Sequence, residues 1–490
     1  EDGTSANEPE IAWNRSEYKQ WTDILVAPGS SGDGNLEMIM LRDGRGGTED
    51  LGIAVEGNGR LGRVVDNRLA PEPIGFFASQ GAVGNIQLGA GTVGSGLNNV
   101  STEGGWRLPE DIDADGETDD PTGIYSPGGV TSLVVKGDLD GDTVLGGDLR
   151  TLKVTGGDLN GDLVLTGSRV GRLMVLGNGS GGNVSGDIRT PGDMGVVYAS
   201  GGDITGSLHA GGSVNAVRAV GGDVACSEIW AGESIWSVVA DGGDVRSAID
   251  ADQGKVGTVL ARRGDTGQGG TIVGSISAGW NVGSVIAVDG DGIEAGVRAN
   301  GRIGRIYSRG GDIDLSDGWR QVRASFGVGS IRAVDADIVG DGQTWSNEVK
   351  VWGGNLGVLQ ASRGNILGLA VDVAGMERSG CIGTVAALGA DQGIMNSTFE
   401  VESRLETVRV TARSGSGGDM HNTSIDATRL GRVLVAGTIS EDASNSRTDH
   451  ICADLGSYIA SDATWAGWID QSNSYWFDEG KPDGLRAFAL

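Results

Sequence analysis

The sequence predicts an all-β fold, a single-chain parallel β-helix (β-solenoid) of about 14–16 coils with roughly 21 residues per coil. The first observation is a repeated pattern, apolar-Gly-x-apolar followed six residues later by an acidic turn, as in Val256–Val259 with Asp265. The second is composition: 90 glycines and only 9 prolines, with the glycines in the repeat register. Because one such unit cannot bury its own apolar face, the units are expected to stack.

The two apolar residues recur in fourteen units, nine of which have the glycine, and the second apolar residue of each unit serves as an anchor. Successive anchors are 19 to 28 residues apart, most often 21, and the residue three positions before each anchor is also apolar. The glycine between these two apolar residues indicates a bend or bulge in the strand. The anchors are Leu133, Leu152, Leu173, Val197, Val217, Val238, Val259, Val285, Ile306, Ile331, Leu359, Val385, Val408 and Val433.

A second apolar position lies 8 to 10 residues before several anchors, such as Leu208 before Val217 and Ile276 before Val285. The spacing from an anchor to the next such position varies much more, from 11 to 18 residues. We therefore expect about three short strands per coil and insertions gathered in one sector, where solenoids often carry their binding surface.

Three segments follow from the extent of the repeat. Residues 59–440 form the predicted β-solenoid, with earlier matches at Leu61–Val64 and Val83–Ile86 and an acidic insertion near 98–126. Residues 1–58 are predicted to be an N-terminal cap or assembly arm. Residues 441–490 form an aromatic-rich C-terminal cap or assembly element.

Charge narrows the possible partners. A net charge of −29 and a pI near 4.4 disfavour nucleic acid and anionic membranes, since both need a basic surface. No apolar run reaches the ~18 residues of a membrane span. The first residues, Glu-Asp-Gly-Thr, suggest a processed, exported protein, although a trimmed chain would begin in the same way. We expect a secreted, extracellular or cell-surface location.

Acidic residues stand six positions after the anchors, so stacking would place them in a column. Neighbouring carboxylates ~4.8 Å apart repel by about 1 kcal/mol in water, which something must offset. Each carboxylate could accept a backbone N–H in an Asx-type turn, or cations could lie between the rungs. One Asp per coil supplies few of the oxygens that calcium needs, which favours the turn. The column comprises Asp158, Asp203, Asp223, Asp244, Asp265, Asp291, Asp312, Asp337 and Asp391.

Asp265 also belongs to the tripeptide Arg263-Gly264-Asp265, which matches an integrin-adhesion motif. The repeat already accounts for its glycine and aspartate, so we assign it no adhesive role.

A separate acidic run, Asp111, Asp113, Asp115, Glu117 and Asp119, resembles the calcium loops of EF-hand, dockerin and thrombospondin type 3 modules. Alternating carboxylates around a glycine turn can converge on one hard cation, so the resemblance implies a calcium site. The run departs from the EF-hand at Thr122, where that family has a bidentate glutamate. A solvated acidic loop is the alternative, and no organic cofactor is predicted.

Catalytic motifs are not found. The three histidines, His209, His421 and His450, are scattered, and neither a G-x-S-x-G nor an H-E-x-x-H pattern occurs. Parallel β-helices also include polysaccharide lyases and hydrolases, but a fold does not confer a function. The sequence therefore predicts that the protein is not an enzyme.

Aromatic residues gather at both termini, and these are the candidate assembly residues. The terminal segments could cap their own solenoid or dock on a second copy of the chain. Outward tryptophans elsewhere suit either sugar stacking or protein contact. The terminal candidates are Trp13, Trp21, Trp465, Trp468, Tyr475, Trp476, Phe477 and Phe488.

The Val-Gly-x-Val and Gly-Gly-Asp coil resembles the glycine-rich secreted β-solenoid proteins that form surfaces or filaments. The resemblance implies an extracellular structural protein that self-assembles into a filament, tube or surface coat through its terminal segments, with other copies of itself as partners. The alternative is a polysaccharide-binding or polysaccharide-degrading β-helix protein, adhesin-like or lyase-like, with glycans as partners.

Overall fold

The predicted fold is confirmed by the computed structural model, which is a single-chain, all-β parallel solenoid of about 12 turns spaced about 24 residues apart. Residues 130–436 are described, except 168, 178–180, 265–266, 268, 343–347, 376–379 and 413–417, together with the backbone of further strands on both sides. Two compact units divide the chain, unit 1 (Glu1–Glu233) and unit 2 (Ser234–Leu490).

Unit 1 contains eighteen of the described strands. The first eight are β1 (Glu10–Asn14), β2 (Asp23–Ala27), β3 (Leu36–Leu41), β4 (Gly52–Val55), β5 (Leu61–Asp66), β6 (Phe76–Ser79), β7 (Val83–Ala90) and β8 (Gly123–Ser126). The others are β9 (Val130–Lys136), β10 (Asp142–Leu145), β11 (Leu149–Thr155), β12 (Leu163–Leu165), β13 (Arg169–Leu176), β14 (Ile188–Thr190), β15 (Asp193–Ser200), β16 (Leu208–Ala210), β17 (Val214–Val220) and β18 (Glu228–Ala231).

Unit 2 begins with twelve strands in its first half. They are β19 (Ile235–Asp241), β20 (Val245–Ala251), β21 (Val256–Arg262), β22 (Ile272–Ala278), β23 (Val282–Val288), β24 (Gly292–Ala299), β25 (Ile303–Arg309), β26 (Asp312–Asp314), β27 (Val322–Ala324), β28 (Val328–Val334), β29 (Ile338–Val339) and β30 (Val349–Val351). Those that follow are β31 (Leu356–Ser362), β32 (Ile366–Leu367), β33 (Ala370–Val373), β34 (Cys381–Ala390), β35 (Gly393–Met395), β36 (Thr398–Ala412), β37 (Asp419–His421), β38 (Ser424–Val435), β39 (Ile439–Ser440), β40 (His450–Ala460), β41 (Trp468–Ile469) and β42 (Tyr475–Trp476).

The predicted anchors stack in register within each unit. In unit 1 the anchors from Leu133 to Val217 pair in turn along the long strands. In unit 2 the anchors from Val238 to Val433 do the same. Every anchor is 0–1% exposed. The second apolar position also stacks, as Leu208 on Ile229 and Ile276 on Val297.

The glycine between the two apolar residues lies where the strand pairing is interrupted. Val282 pairs with Ile303 and Ser284 with Arg305, but the glycines between them are not paired. A Cβ added at Gly304 would lie 2.2 Å from the carbonyl oxygen of Gly283 in the coil below. At Gly304 the two backbones therefore approach too closely for a Cβ atom.

The predicted coil length and coil number differ from the structure. The commonest spacing is close to 20 residues, as between Asp203 and Asp223, but in unit 2 it reaches 28 between Asp337 and Asn365. Insertions at the corners thus raise the average spacing to about 24 residues, over about 12 turns. The two earlier matches lie in β5 and β7, where Leu61 pairs with Val83 and Val64 with Ile86.

At both ends the parallel pairing extends beyond the predicted boundaries of 59 and 440, because β3 pairs with β5 and β40 pairs with β38. Outside it the strand direction changes. β1 pairs antiparallel with β2, and β42 pairs antiparallel with both β40 and β41.

Candidate functional site

The acidic column of unit 1 is a ladder of hydrogen bonds between coils. The carboxylate of Asp138 accepts the backbone N–H of Asp158 at 2.9 Å, and Asp158 accepts that of Asn183 at 2.8 Å. The side chain of Asn183 then accepts the N–H of Asp203 at 2.9 Å, and Asp203 accepts that of Asp223 at 2.7 Å. Each side chain of the ladder therefore accepts a backbone N–H of the next coil, whereas the sequence suggested a hydrogen bond within its own turn.

The ladder of unit 2 corrects two of the predicted rungs. Asp244 accepts the N–H of Thr271 at 2.8 Å, and the Thr271 hydroxyl accepts that of Asp291 at 3.1 Å, so Thr271 holds the place predicted for Asp265. The residues inserted after Arg263 displace the rung, and Asp265 itself is outside the described residues.

Further along unit 2, Asp312 accepts the N–H of Asp337 and Asp337 that of Asn365, at 2.8 and 2.6 Å. The Asn365 amide oxygen then accepts from Gln392 and Gly393, not from the predicted Asp391, which is exposed. Burial raises the pKa of Asp312, and the neighbouring Asp337 charge adds to that effect.

Similar side-chain acceptors stand at the other corners, and the sequence analysis missed them. In unit 1, Asp142 accepts the N–H of Asp162 at 2.8 Å, and Asp162 accepts that of Asp187 at 2.7 Å. In unit 2, the Asn281 side chain accepts the N–H of Arg302 at 2.7 Å. The run Gly-Asp-Leu-Asp-Gly-Asp at 137–142 was the available signal, because its acidic residues fall at two corners of one coil.

The ladder gives a direct prediction at Asp203, a half-buried rung. Asp203→Ala leaves the N–H of Asp223 without its acceptor and should cost about 1.5–3 kcal/mol of unfolding free energy. Asp203→Asn should change it by less than about 0.5 kcal/mol, because Asn183 and Asn365 already accept such bonds. Denaturant titrations with and without EDTA check this. A calcium-dependent loss in Asp203→Asn would indicate cations between the rungs instead.

The predicted calcium residues, Asp111 to Asp119, are outside the described residues, so their ligand role stays a prediction. Within the described part of the chain, no group of three or more His, Cys, Asp and Glu side chains is placed to hold a metal ion.

The predicted assembly residues are described only in part. Trp13 lies in β1, where it pairs with Ile24. Trp468 in β41 pairs with Trp476 in β42, and Tyr475 pairs with Ile451 of β40. This backbone pairing places β42 against strand β40 of the same chain. Four candidates lie outside the described residues: Trp21, Trp465, Phe477 and Phe488.

A column of charged side chains runs along the short strands of unit 2. Arg298 pairs with Arg323, and Arg323 with Lys350. The order continues with Asp372, Glu400 and Asp426. The column, which we call the charged column, thus has a cationic half followed by an acidic half. At its centre Lys350 Nζ lies 3.0 Å from Asp372 Oδ2.

The outer members of the charged column form no ion pair with any of the described residues. In the described part of the chain, Arg298, Arg323, Glu400 and Asp426 form no side-chain ion pair, and Arg298, Glu400 and Asp426 are exposed. The Arg323 Nε atom is buried with no hydrogen-bond partner. An open groove of about 280 Å³ lies along the acidic half and is lined by Asp372, Glu400 and Asp426 with neighbouring residues.

Large exposed apolar side chains are the second surface feature, and all of those in the described residues belong to unit 2. Their exposed fractions are 50% for Trp236, 60% for Trp280, 52% for Trp319, 44% for Phe326 and 41% for Trp352. Lys350 lies over the Trp352 ring and Lys255 over the Trp236 ring, the latter with Nζ 3.7 Å from the centroid.

Glu348 is a buried acid that the sequence analysis did not identify. Its side chain is 1% exposed and accepts the backbone N–H groups of Ala370 at 2.6 Å and Asp341 at 3.3 Å. Burial raises the pKa of Glu348 to about 7, and the side chain of Asp341 adds to that effect, while the backbone N–H groups of Glu348 itself, Ala370 and Asp341 lower it in part.

We expect Glu348 to make stability depend on pH. Since the folded-state pKa of Glu348 is raised, its contribution to the stability of the fold is complete below the ordinary pKa of 4.5 and is lost as pH rises through about 7. Glu348→Gln removes this titration. As pH rises from 5 to 8, the unfolding free energy of the variant should therefore increase by on the order of 2 kcal/mol relative to that of the natural protein. Melting curves at both pH values check this, with the exposed Glu406→Gln as control. Equal pH profiles for natural protein and Glu348→Gln would contradict it.

Among the described residues, no helix has the length and apolarity needed to cross a membrane. Comparison with family models, with curated proteins and with solved structures gives no significant match.

Proposed function

We propose that this protein is a structural protein of the cell exterior that assembles with copies of itself. The observation that supports the proposal is the sign order of the charged column in unit 2, three cations followed by three carboxylates. A surface with this order is complementary to itself when two copies meet antiparallel.

The symmetry is that of a two-fold axis between Lys350 and Asp372. Such an axis places Arg298 of one copy opposite Asp426 of the other and Arg323 opposite Glu400, so every cross pair has opposite sign. A two-fold contact repeats each pair, which gives six attractive pairs in one isologous interface. Side-by-side parallel docking would instead bring like charges together, which disfavours it.

The contact is expected to be weak by itself. Six coils at ~4.8 Å span about 24 Å, so the column covers a few hundred Å² per copy, against about 800 Å² per partner in a stable interface. Exposed ion pairs contribute about 0–1 kcal/mol each and are screened by salt. A filament, tube or coat therefore needs a second contact, and the aromatic terminal segments are our candidates for it.

Charge reversal tests the proposal. Arg323→Glu and Glu400→Arg should each weaken association, because each puts two like-charge pairs into a two-fold interface, and the double variant should restore it. Arg332→Glu is the control, since it makes the same charge change at an exposed position on a long strand.

The measurement is sedimentation velocity across protein concentration, at about 50 mM and about 500 mM salt. Association that weakens with salt and recovers in the double variant supports the proposal. The proposal would be overturned if the protein were monomeric under all conditions, or if Arg332→Glu weakened association as much as Arg323→Glu does. Electron microscopy of the chain without residues 460–490 tests the second contact, because polymers should then be absent.

A further inference from the structure

One corner of unit 2 presents aromatic side chains in alternate coils. The N–H of Trp280 donates to the carbonyl of Gly254 at 2.8 Å, that of Gly301 donates to Trp280, and that of Phe326 donates to Gly301 at 3.0 Å. These bonds stack the four residues in one column, with glycine on every second rung. Trp280 and Phe326 are therefore two coils apart, about 9.6 Å, and both are largely exposed.

A strip of glycines lies beside this ridge. Gly283, Gly304 and Gly329 are exposed and stack on one another where the pairing of the long strands is interrupted. A Cβ at Gly304 or Gly329 would lie 2.2–2.3 Å from the carbonyl oxygen below, so the strip carries no side chains. Trp236 occupies the same position two coils below Gly283 and ends the strip, since Gly257 stacks on Trp236 and Gly283 on Gly257.

Polar side chains border the strip at the next strand position. Thr258 pairs with Ser284, Ser284 with Arg305, and Arg305 with Ser330. The row offers hydroxyl and guanidinium groups at intervals of about 4.8 Å. Ridge, strip and row together form a surface with aromatic platforms along one side and hydrogen-bonding groups along the other.

We infer that this corner binds an extended, neutral, β-1,4-linked glycan chain. Aromatic platforms stack on the apolar faces of sugar rings, and hydroxyl and guanidinium groups pair with sugar hydroxyls. In an extended β-1,4-linked chain the same face recurs at every second sugar, a distance of about two coils. The net charge of −29 disfavours acidic polysaccharides.

The inference goes beyond the proposed function, since it concerns other residues and does not require assembly. From Thr258 to Ser330 the polar row spans four coils, so the surface fits roughly four sugars at about one sugar per coil. Affinity should therefore rise with chain length up to about four sugars and then level off.

Titration calorimetry with β-1,4-linked glucose oligomers and N-acetylglucosamine oligomers of two to six units tests this. Trp280→Ala and Phe326→Ala should each weaken binding of the preferred hexamer by about tenfold. Trp319→Ala is the matched control, because Trp319 is equally exposed but lies in the loop between β26 and β27. Trp319→Ala should leave the affinity unchanged. All three variants should keep the melting temperature of the natural protein.

Maltohexaose, whose α-linked chain is helical, should not bind. Binding of neither β-linked hexamer would overturn the inference. So would equal binding of maltohexaose, affinity independent of chain length, or an equal loss in Trp319→Ala.

Discussion

Gly304→Ala is expected to destabilise the solenoid by on the order of 3 kcal/mol, although alanine normally favours ordered structure over glycine. The new Cβ would lie 2.2 Å from the Gly283 carbonyl oxygen, which belongs to the backbone of the adjacent coil. Since strands β23 and β25 are paired on both sides of Gly283 and Gly304, the overlap can be relieved only by shifting one strand against the other. Denaturant unfolding measures the effect.

Gly318→Ala is the matched control, because no atom lies within 4 Å of a Cβ added there. It should change the unfolding free energy by less than about 0.5 kcal/mol. Equal stability of the two variants would contradict the close approach of the two backbones at Gly304.

The second large effect is expected for Phe399→Ala. Phe399 is 1% exposed and is among the largest fully buried side chains of the described residues. It lies in β36 between Val371 and Ile425 of the neighbouring coils, so truncation leaves a cavity lined by both. We expect a loss of about 3–5 kcal/mol, measured by denaturant unfolding.

Phe326→Ala removes the same side chain where it is 44% exposed and should cost far less. The comparison separates the inward and outward aromatic residues of unit 2. Similar losses in the two variants would mean that the outward face of the corner is covered in solution.

The sequence was sufficient to predict the stacking because the anchors carry two linked constraints. An apolar residue must recur where every coil is buried, and glycine recurs in most coils where the backbones approach, so Val282, Gly283 and Val285 can be recognised without knowing their partners.

The corner bonds could not be predicted in the same way. Their partners are 20 to 28 residues apart and depend on which residue follows an insertion. At Asp265 the sequence spacing was regular, yet the inserted residues give the rung to Thr271. The order of charges from Arg298 to Asp426 was likewise hidden, because irregular spacing conceals which outward residues share a column.

The most direct test of self-association joins Arg323→Cys and Glu400→Cys in one chain. Within one copy these positions are three coils apart, about 14 Å, which exceeds the reach of a disulfide. Antiparallel pairing of the charged column brings them together across two copies. We predict an oxidised dimer whose disulfides join positions 323 and 400 by mass spectrometry, and little dimer from either single variant. Monomers from the double variant, or dimers linked only through Cys226, Cys381 or Cys452, would contradict the proposed contact.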